Sequence, residues 1–304
     1  MAKQNIVILM ARVKKPASIR KNAETGEYNF GLVYTDVVRG VRQVDDKVDF
    51  IKHDSPLIMS KEKAHIECMA TWKENDIVLI KGVVTSKRIP KISICPNCTN
   101  PDGTPVKNET VGNLLYITPI FAEKIKSFNT KREAVEYIVD RSEMSNQVWI
   151  YGVLLKDPKL FTTKQKVQIT QYPIAINRKF TIRTDDPTIK TDWPVVKSYG
   201  EQAREDRLHL KAGSEVIIDG FLQAREITRK TKCECCGQIY EWKDHAMEIV
   251  PYAVEYVADY LSNTEIEEEH RMSVEELKQM LYAEGHKDEL EEGFVTTDLG
   301  NVND

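Results

Sequence analysis

The sequence predicts a mainly β protein with two tandem five-stranded barrels, a connecting helix and an acidic C-terminal tail. The main observation is an internal repeat, since the apolar segment 76–82 returns 138 residues later as segment 214–220. In both copies a Cys-x-x-Cys pair begins 13 residues after the glycine that ends this segment, at Cys95 and at Cys233. Alternating apolar runs bounded by turn residues fill both copies and are typical of strands. A repeat of this length indicates two copies of one fold.

The first copy has an order of elements that can be read from its apolar pattern. A helix is predicted from Lys61 to Trp72, with Cys68 on its apolar stripe as a small core residue. Gly82 lies inside a long strand and predicts a bulge or a sharp bend there. Residues 95–112 are rich in Pro, Asn, Gly and Asp and predict a hairpin tip that carries the cysteines. The predicted strands are 5–13, 28–38, 47–52, 76–94 and 113–121.

The second copy repeats this order of three strands, a helix and two strands. Its predicted strands are 147–155, 166–183, 192–199, 214–229 and 246–257, with a short polar helix at 200–211. This is the order of the five-stranded Greek-key barrel called the OB-fold. We therefore expect OB-fold domains at residues 1–128 and 146–260, separated by a connecting helix within 129–145 that Asn129 or Thr130 caps. The acidic tail, 261–304, is expected to contain one short helix that begins at Ser273.

Charge is unevenly distributed along the 304 residues, whose net charge is −4. The tail has a net charge of −10, so the remainder carries +6. A mildly basic body is typical of a protein that meets polyanions, although solubility alone accounts equally well for an acidic tail. No apolar run is long enough to span a membrane, and the first residues do not resemble a signal peptide. A cytoplasmic, reducing location is therefore expected, in which Cys-x-x-Cys is a metal knuckle or a redox pair rather than a disulfide.

The two Cys-x-x-Cys pairs predict one shared metal site. Structural zinc requires four ligands in a tetrahedron, commonly from two such knuckles, and each copy supplies only one. Our hypothesis is that the two hairpin tips meet and bind one zinc ion through Cys95, Cys98, Cys233 and Cys236. Such a clamp would fix the relative orientation of the two barrels. Reduced thiols or a contact between chains remain alternatives, and Cys235 is an alternative ligand.

Four segments of the second copy carry a resemblance to a known family. They are Asn146–Pro158, Trp193–Gly200, Leu210–Gly220 and Gln223–Arg225. In order and spacing they resemble the strands of bacterial single-stranded-DNA-binding proteins, with the likeness extending over about residues 146–257. The cysteines depart from that family, whose hairpin normally has none. A variant of the phage or mobile-element type is expected, with a host origin left open.

The resemblance implies that bases stack on aromatic side chains while Lys and Arg contact phosphates. Phe180, Trp193 and Tyr199 match stacking aromatics of the family. For each aromatic, packing in the core is the alternative. The candidates in the second copy are Trp149, Tyr151, Arg178, Lys179, Phe180, Arg183, Trp193, Tyr199, Arg225, Arg229 and Lys230. The weaker candidates in the first copy are Tyr28, Phe30, Tyr34, Arg12, Lys14, Lys87 and Arg88.

The expected function is non-sequence-specific binding of single-stranded DNA in replication, recombination or transfer. The tail is expected to recruit replication or recombination proteins or to compete for the DNA groove. A scaffold that binds protein partners and a binder of single-stranded RNA are the alternatives, and a homodimer remains open. No enzyme is expected, since the sequence has no Gly-x-x-x-x-Gly-Lys loop and no Gly-x-Ser-x-Gly elbow. A zinc ion closed off by four thiolates also leaves no position for a substrate.

Overall fold

The computed structural model describes residues 4–39 and 52–268 together with Glu275, and it is mainly β. The compact unit Met1–Asp259 contains both copies, and residues from Tyr260 onward form a separate unit. The first copy contains β1 (Asn5–Val13), β2 (Ser18–Lys21), β3 (Tyr28–Val38), β4 (His53–Asp54), β5 (Leu57–Ser60), α1 (Lys63–Ala70), β6 (Asp76–Thr99) and β7 (Pro105–Ser127). The second contains β8 (Gln147–Leu154), β9 (Lys159–Thr162), β10 (Gln168–Asn177), β11 (Thr191–Asp192), β12 (Val195–Tyr199), α3 (Gly200–His209), β13 (Glu215–Lys232) and β14 (Ile239–Ala258).

The first strands of the two barrels join them into one sheet. β1 pairs with β8 in antiparallel register, with Val7 opposite Val148, while β1 also pairs with β6 and β8 with β13. Both valines are fully buried in a hydrophobic core that runs through both barrels. Pairing two edge strands with each other satisfies backbone groups that would otherwise be exposed. The two barrels are therefore halves of one packed body.

Corresponding asparagines anchor the first strand of each barrel to its long hairpin. The Asn5 side chain donates to the Val84 carbonyl oxygen at 3.0 Å and accepts from the Val84 N–H at 2.9 Å. Asn146 makes the same two bonds with Leu222, at 2.9 and 3.0 Å. Because both asparagines are buried, each needs these partners for its amide group. The repeat thus extends to individual hydrogen bonds.

The bulge predicted at Gly82 is confirmed, and it recurs at Gly220. The pairing of β6 with β7 shifts register between Lys81 and Gly82, and that of β13 with β14 between Asp219 and Gly220. A Cβ on Gly82 would lie 2.7 Å from the Thr118 carbonyl oxygen, so the partner strand leaves no room for a side chain. The bends let each long hairpin close its barrel and then extend beyond it.

The third strand of the first barrel differs from the prediction. Residues 47–51 lie outside the described part of the chain and Lys52 is not in a strand, whereas β5 pairs with β3 and β7 to close the barrel. The apolar run of β5 is only three residues long, so alternation could not reveal it. The repeat offset could have done so, since Asp54-x-Pro56 corresponds to Asp192-x-Pro194 just before β12.

The hairpin arms are longer and the second strand of the second copy is shorter than predicted. The predicted tip 95–112 is mostly strand, with only residues 100–104 between β6 and β7. Mutual packing of the two hairpins gives these polar segments partners that their sequence does not reveal. β10 ends at Asn177, and Phe180 therefore lies in the following loop rather than on a strand.

The helices confirm part of the predicted pattern. The connecting helix α2 (Lys131–Val139) begins with a capping box between Thr130 and Glu133 and buries Ala134 and Ile138. The sequence also predicts Met144 on one apolar stripe with Ala134 and Ile138, but Met144 follows in a 3₁₀ turn and is exposed. Helix α1 buries Ile66 and Met69, with Cys68 partly buried against the core as expected. The helical spacing also predicts Ala64 on the stripe of Cys68, but Ala64 is exposed.

The tail unit has a short helix at residues 263–268, where Ser262 and Glu265 exchange capping hydrogen bonds. The helix predicted to begin at Ser273 lies outside the described residues, apart from helical Glu275. No helix in the described ranges has the length and apolar character needed to cross a membrane.

Candidate metal centre and nucleic-acid interface

The two hairpins bring four cysteines together at their tips. Cys95 and Cys98 come from β6, Cys233 follows β13, and Cys236 lies in the turn before β14. Their Sγ atoms all lie within 4.8 Å of one another, and the Cys95–Cys236 and Cys98–Cys233 distances are both 3.9 Å. A zinc–sulfur bond of about 2.3 Å in a tetrahedron requires sulfur atoms about 3.8 Å apart. The donor set therefore fits a closed zinc site, and Cys235 lies outside the group.

Neighbouring polar groups orient the cysteine cluster. Asn108 donates to the Cys233 sulfur at 3.7 Å and to the Tyr240 hydroxyl at 2.9 Å, and Ser93 lies 2.6 Å from that hydroxyl. The backbone N–H of Cys236 lowers the pKa of the Cys233 thiol to about 6, whereas the hydrogen bond with the Cys236 thiol raises the pKa of Cys98. Since the thiolate is the form that binds metal, this environment favours a ligand at Cys233.

Below the cysteines, a largely buried ion pair joins the two hairpins. The Lys91 ammonium donates to both carboxylate oxygens of Asp244, at 2.5 and 2.6 Å. Burial alone would raise the pKa of Asp244, but Lys91 and Arg229 outweigh it and hold this pKa below its ordinary value. Arg229, which is predicted to contact phosphate, thus already forms an ion pair with Asp244.

Two Arg–Asp pairs link the barrels in a reciprocal way. The Asp54 carboxylate binds Arg39 of its own barrel and accepts from the Ala224 N–H of the other at 2.9 Å. Asp192 binds Arg178 of its own barrel and accepts from the Ser86 N–H at 2.7 Å. Arg178, which is predicted to contact phosphate, has only 7% of its side chain exposed and mainly holds Asp192 in place between the two barrels.

A groove of about 990 Å³ lies between the two barrels. Trp193 lines it with 42% of the residue exposed, while its backbone is fixed by bonds to Ser86 and Asn113 of the other barrel. An aromatic ring that stays exposed on a rigid backbone is suited to stacking. The groove also contains predicted cations of both barrels, namely Lys87, Arg88 and Arg178.

The open face of the first barrel presents the predicted aromatics of β3. Tyr34 is 50% exposed, whereas Tyr28 and Phe30 are half-buried and Tyr28 packs in part against the core. The opposing strand β2 places Arg20 over the Phe30 ring and Lys21 over the Tyr28 ring, at 5.5 and 4.8 Å from the ring centroids. The sequence prediction missed both cations. Their position between Pro16 and the turn at Gly26 could have indicated a strand facing β3.

Two predicted site residues are buried. Arg12 is 3% exposed, and its guanidinium binds Asp36 and donates to Asn75 at 2.9 Å. Tyr151 is 8% exposed and donates to Glu215. The prediction that they contact nucleic acid is corrected, because both side chains face the interior. A basic or aromatic residue type does not by itself reveal which side of a strand a residue occupies.

The remaining predicted residues are at least partly accessible. Phe180 is half-buried in a loop that faces the first barrel, with the Lys179 ammonium 5.9 Å from its ring centroid and Arg183 exposed nearby. Trp149 is half-buried, and the half-buried Tyr199 donates to Gln223 at 3.1 Å. Ion pairs join Lys14 with the buried Asp36, Arg225 with the buried Glu248, Lys87 with Asp185, and Lys230 with Glu241.

Two barrels, each closed by three strands, a helix and a long hairpin, place this chain in the OB-fold class. The crystal structure of the wild-type single-stranded DNA binding protein from Thermus aquaticus shares this fold, with a TM-score of 0.51 and 12% sequence identity over 86% of this chain and 97% of that one. Residues 145–236 match the model of the single-strand binding protein family.

Relatives in Staphylococcus aureus agree with this family. A single-stranded DNA-binding protein of strain MRSA252 is 25% identical over 135 residues, which are 44% of this chain and 80% of that protein. Single-stranded DNA-binding protein 2 of strain COL is 32% identical over 87 residues, 29% of this chain and 61% of that protein. The family model and both relatives match only part of this chain, and they carry the same single-stranded DNA-binding description that the segments of the second copy resemble.

Proposed function

We propose that this protein binds single-stranded DNA without sequence specificity and is not an enzyme. The observation that carries the proposal is the groove between the barrels, where the exposed Trp193 ring lies beside Lys87 and Arg88. Stacking on an aromatic ring tolerates any base, and cations follow the phosphates. The family match supports the same ligand. We further propose that the protein acts in the cytoplasm during DNA replication, recombination or transfer, which expose single strands.

A fluorescence titration tests this function. We expect poly-dT to quench tryptophan emission, duplex DNA to do so much less, and binding to weaken as salt rises because counterions are released. Trp193→Ala should weaken binding about 5- to 150-fold, the equivalent of about 1–3 kcal/mol of base stacking. Ile217→Ala, which removes an equally exposed apolar side chain outside the groove, should have little effect.

The titration also separates the alternatives. Equal quenching by poly-U would extend the ligand to RNA. No response to any nucleic acid would refute the proposal and favour a scaffold for protein partners. For the tail, we propose a role in recruiting partners or in competing for the groove. The chain truncated after residue 261 should then bind poly-dT equally or more tightly, and a large loss of affinity would contradict this role.

We also propose that Cys95, Cys98, Cys233 and Cys236 bind one structural zinc ion. The spacing of their sulfur atoms supports a tetrahedral site. Such an ion would tie the two hairpins together and pre-form the groove, which reduces the ordering cost of binding.

A further inference from the structure

An acidic residue of the second barrel occupies a cluster of cations on the first. Asp185 lies in the loop that follows β10, and its carboxylate contacts the Lys61 ammonium and lies 2.5 Å from that of Lys87. Burial lowers the pKa of Lys61, and the positive charges of Lys87 and Arg183 lower it further. Two lysines of the first barrel, Lys61 directly after β5 and Lys87 in β6, thus share one carboxylate of the second.

Both lysines line a cavity of about 410 Å³ on the first barrel, together with Arg20 and Asp185 itself. Phe30, Leu32 and Met59 contribute apolar surface to it, while Lys61 and Lys87 contribute charge. This volume falls within the range of small-molecule sites. A flat ring beside two ammonium groups is the combination that holds one unit of a single strand, with the base on the ring and the phosphate on the cations.

We propose that Lys61 and Lys87 form a phosphate-binding position of the first barrel, which Asp185 occupies until single-stranded DNA displaces it. The inference rests on the proposed function and adds to it a residue, Lys61, and an internal competitor. A carboxylate can take this role because, like a phosphate, it offers anionic oxygens to ammonium donors. DNA that enters the cavity must break both ion pairs, so part of the binding free energy is used to release Asp185.

The test compares two neighbouring charge-neutralising variants. Asp185→Asn removes the competitor, and its affinity for a fluorescein-labelled oligo-dT should rise about 2- to 10-fold, the range for losing two partly exposed ion pairs. The plot of log affinity against log salt should steepen by about 0.7 for each additional phosphate that the protein neutralises. Asp186→Asn is the matched control, since Asp186 instead accepts bonds from Thr188 within the same loop. It should change affinity less than about twofold.

A second background separates this mechanism from a general effect of charge. In the variant Lys61→Gln/Lys87→Gln, adding Asp185→Asn should give no further increase in affinity, because the position that Asp185 blocks no longer binds phosphate. An increase that persists there, or one that Asp186→Asn reproduces, would overturn the inference. If the unmodified protein binds oligo-dT but Asp185→Asn does not bind it more tightly, only this inference fails. If the unmodified protein does not bind at all, the proposed function fails with it.

Discussion

Burial and partners, more than residue type, decide what each arginine of this chain can do. Arg12 is enclosed with Asp36, Arg178 is held by Asp192, and Arg88 is exposed beside the groove. A buried guanidinium keeps its charge and needs a counter-charge, whereas an exposed one exchanges water for phosphate at little cost. Only the last of these three is suited to be a contact that forms when DNA arrives.

The pair of Arg12 and Asp36 should therefore affect stability rather than binding. Asp36→Asn leaves the buried guanidinium without its partner and should lower the free energy of unfolding by about 3–5 kcal/mol at pH 7. The salt dependence of DNA binding should stay the same. Asp219→Asn, at an exposed position, should stay within about 0.5 kcal/mol in the same urea unfolding experiment. A steeply altered salt dependence in Asp36→Asn would contradict this assignment of Arg12.

The same pair predicts how stability changes with pH. Burial alone would raise the pKa of Asp36, but Arg12, Lys14 and Ser55 outweigh it and hold this pKa below its ordinary value of 3.8. A carboxylate with a lowered pKa contributes stability that is complete above its unfolded pKa and is lost as pH falls through its folded pKa. Urea unfolding below pH 4 should therefore show a smaller difference between the wild type and Asp36→Asn than at pH 7.

At the scale of elements, the glycine bulges set the shape of the long hairpins. A Cβ on Gly220 would collide with the Val250 carbonyl oxygen and lie 2.9 Å from the Pro251 Cα, both of which are backbone atoms. Gly220→Ala should therefore destabilise the protein by about 1–3 kcal/mol, as overpacking does. Gly152→Ala is a milder control, because its Cβ would lie no closer than 3.1 Å to its neighbours. Equal thermal unfolding of the two variants would show that the bulge tolerates a side chain.

Elements with a clear period could be predicted from the sequence, and those defined by tertiary partners could not. The strands at β1 and β3 and the bulge at Gly82 follow from alternation and from the position of one glycine. The cysteine cluster also followed, because the repeat places both pairs at equivalent points. β5 escaped prediction because its apolar run is only three residues long. The long hairpin arms escaped because the contacts between the two hairpins, such as Lys91 with Asp244, join residues far apart in sequence. The burial of Arg178 escaped for the same reason, since Asp192 and Ser86 hold it in place.

For the whole molecule, the cysteine cluster should govern how firmly the hairpins are held together. Purified protein should contain about one zinc per chain, and removal of zinc by a chelator should lower both the unfolding temperature and the affinity for poly-dT. Cys95→Ser should reproduce both losses, whereas Cys235→Ser should retain the metal, because its thiol lies outside the cluster. Metal analysis that finds much less than one zinc per chain would refute the site.

The antiparallel pairing of β1 with β8 has a consequence for the path of a bound strand. It places the first strands of the two barrels side by side in opposite directions. A nucleic acid has a 5′-to-3′ polarity, and a strand crossing both barrels meets the second surface reversed with respect to the first. The same set of contacts, repeated in both barrels, would therefore match the polarity of the bound strand in only one of them. Trp193 has Ser55 as its counterpart 138 residues earlier, so the ring that lines the groove has no aromatic equivalent at that position of the first copy.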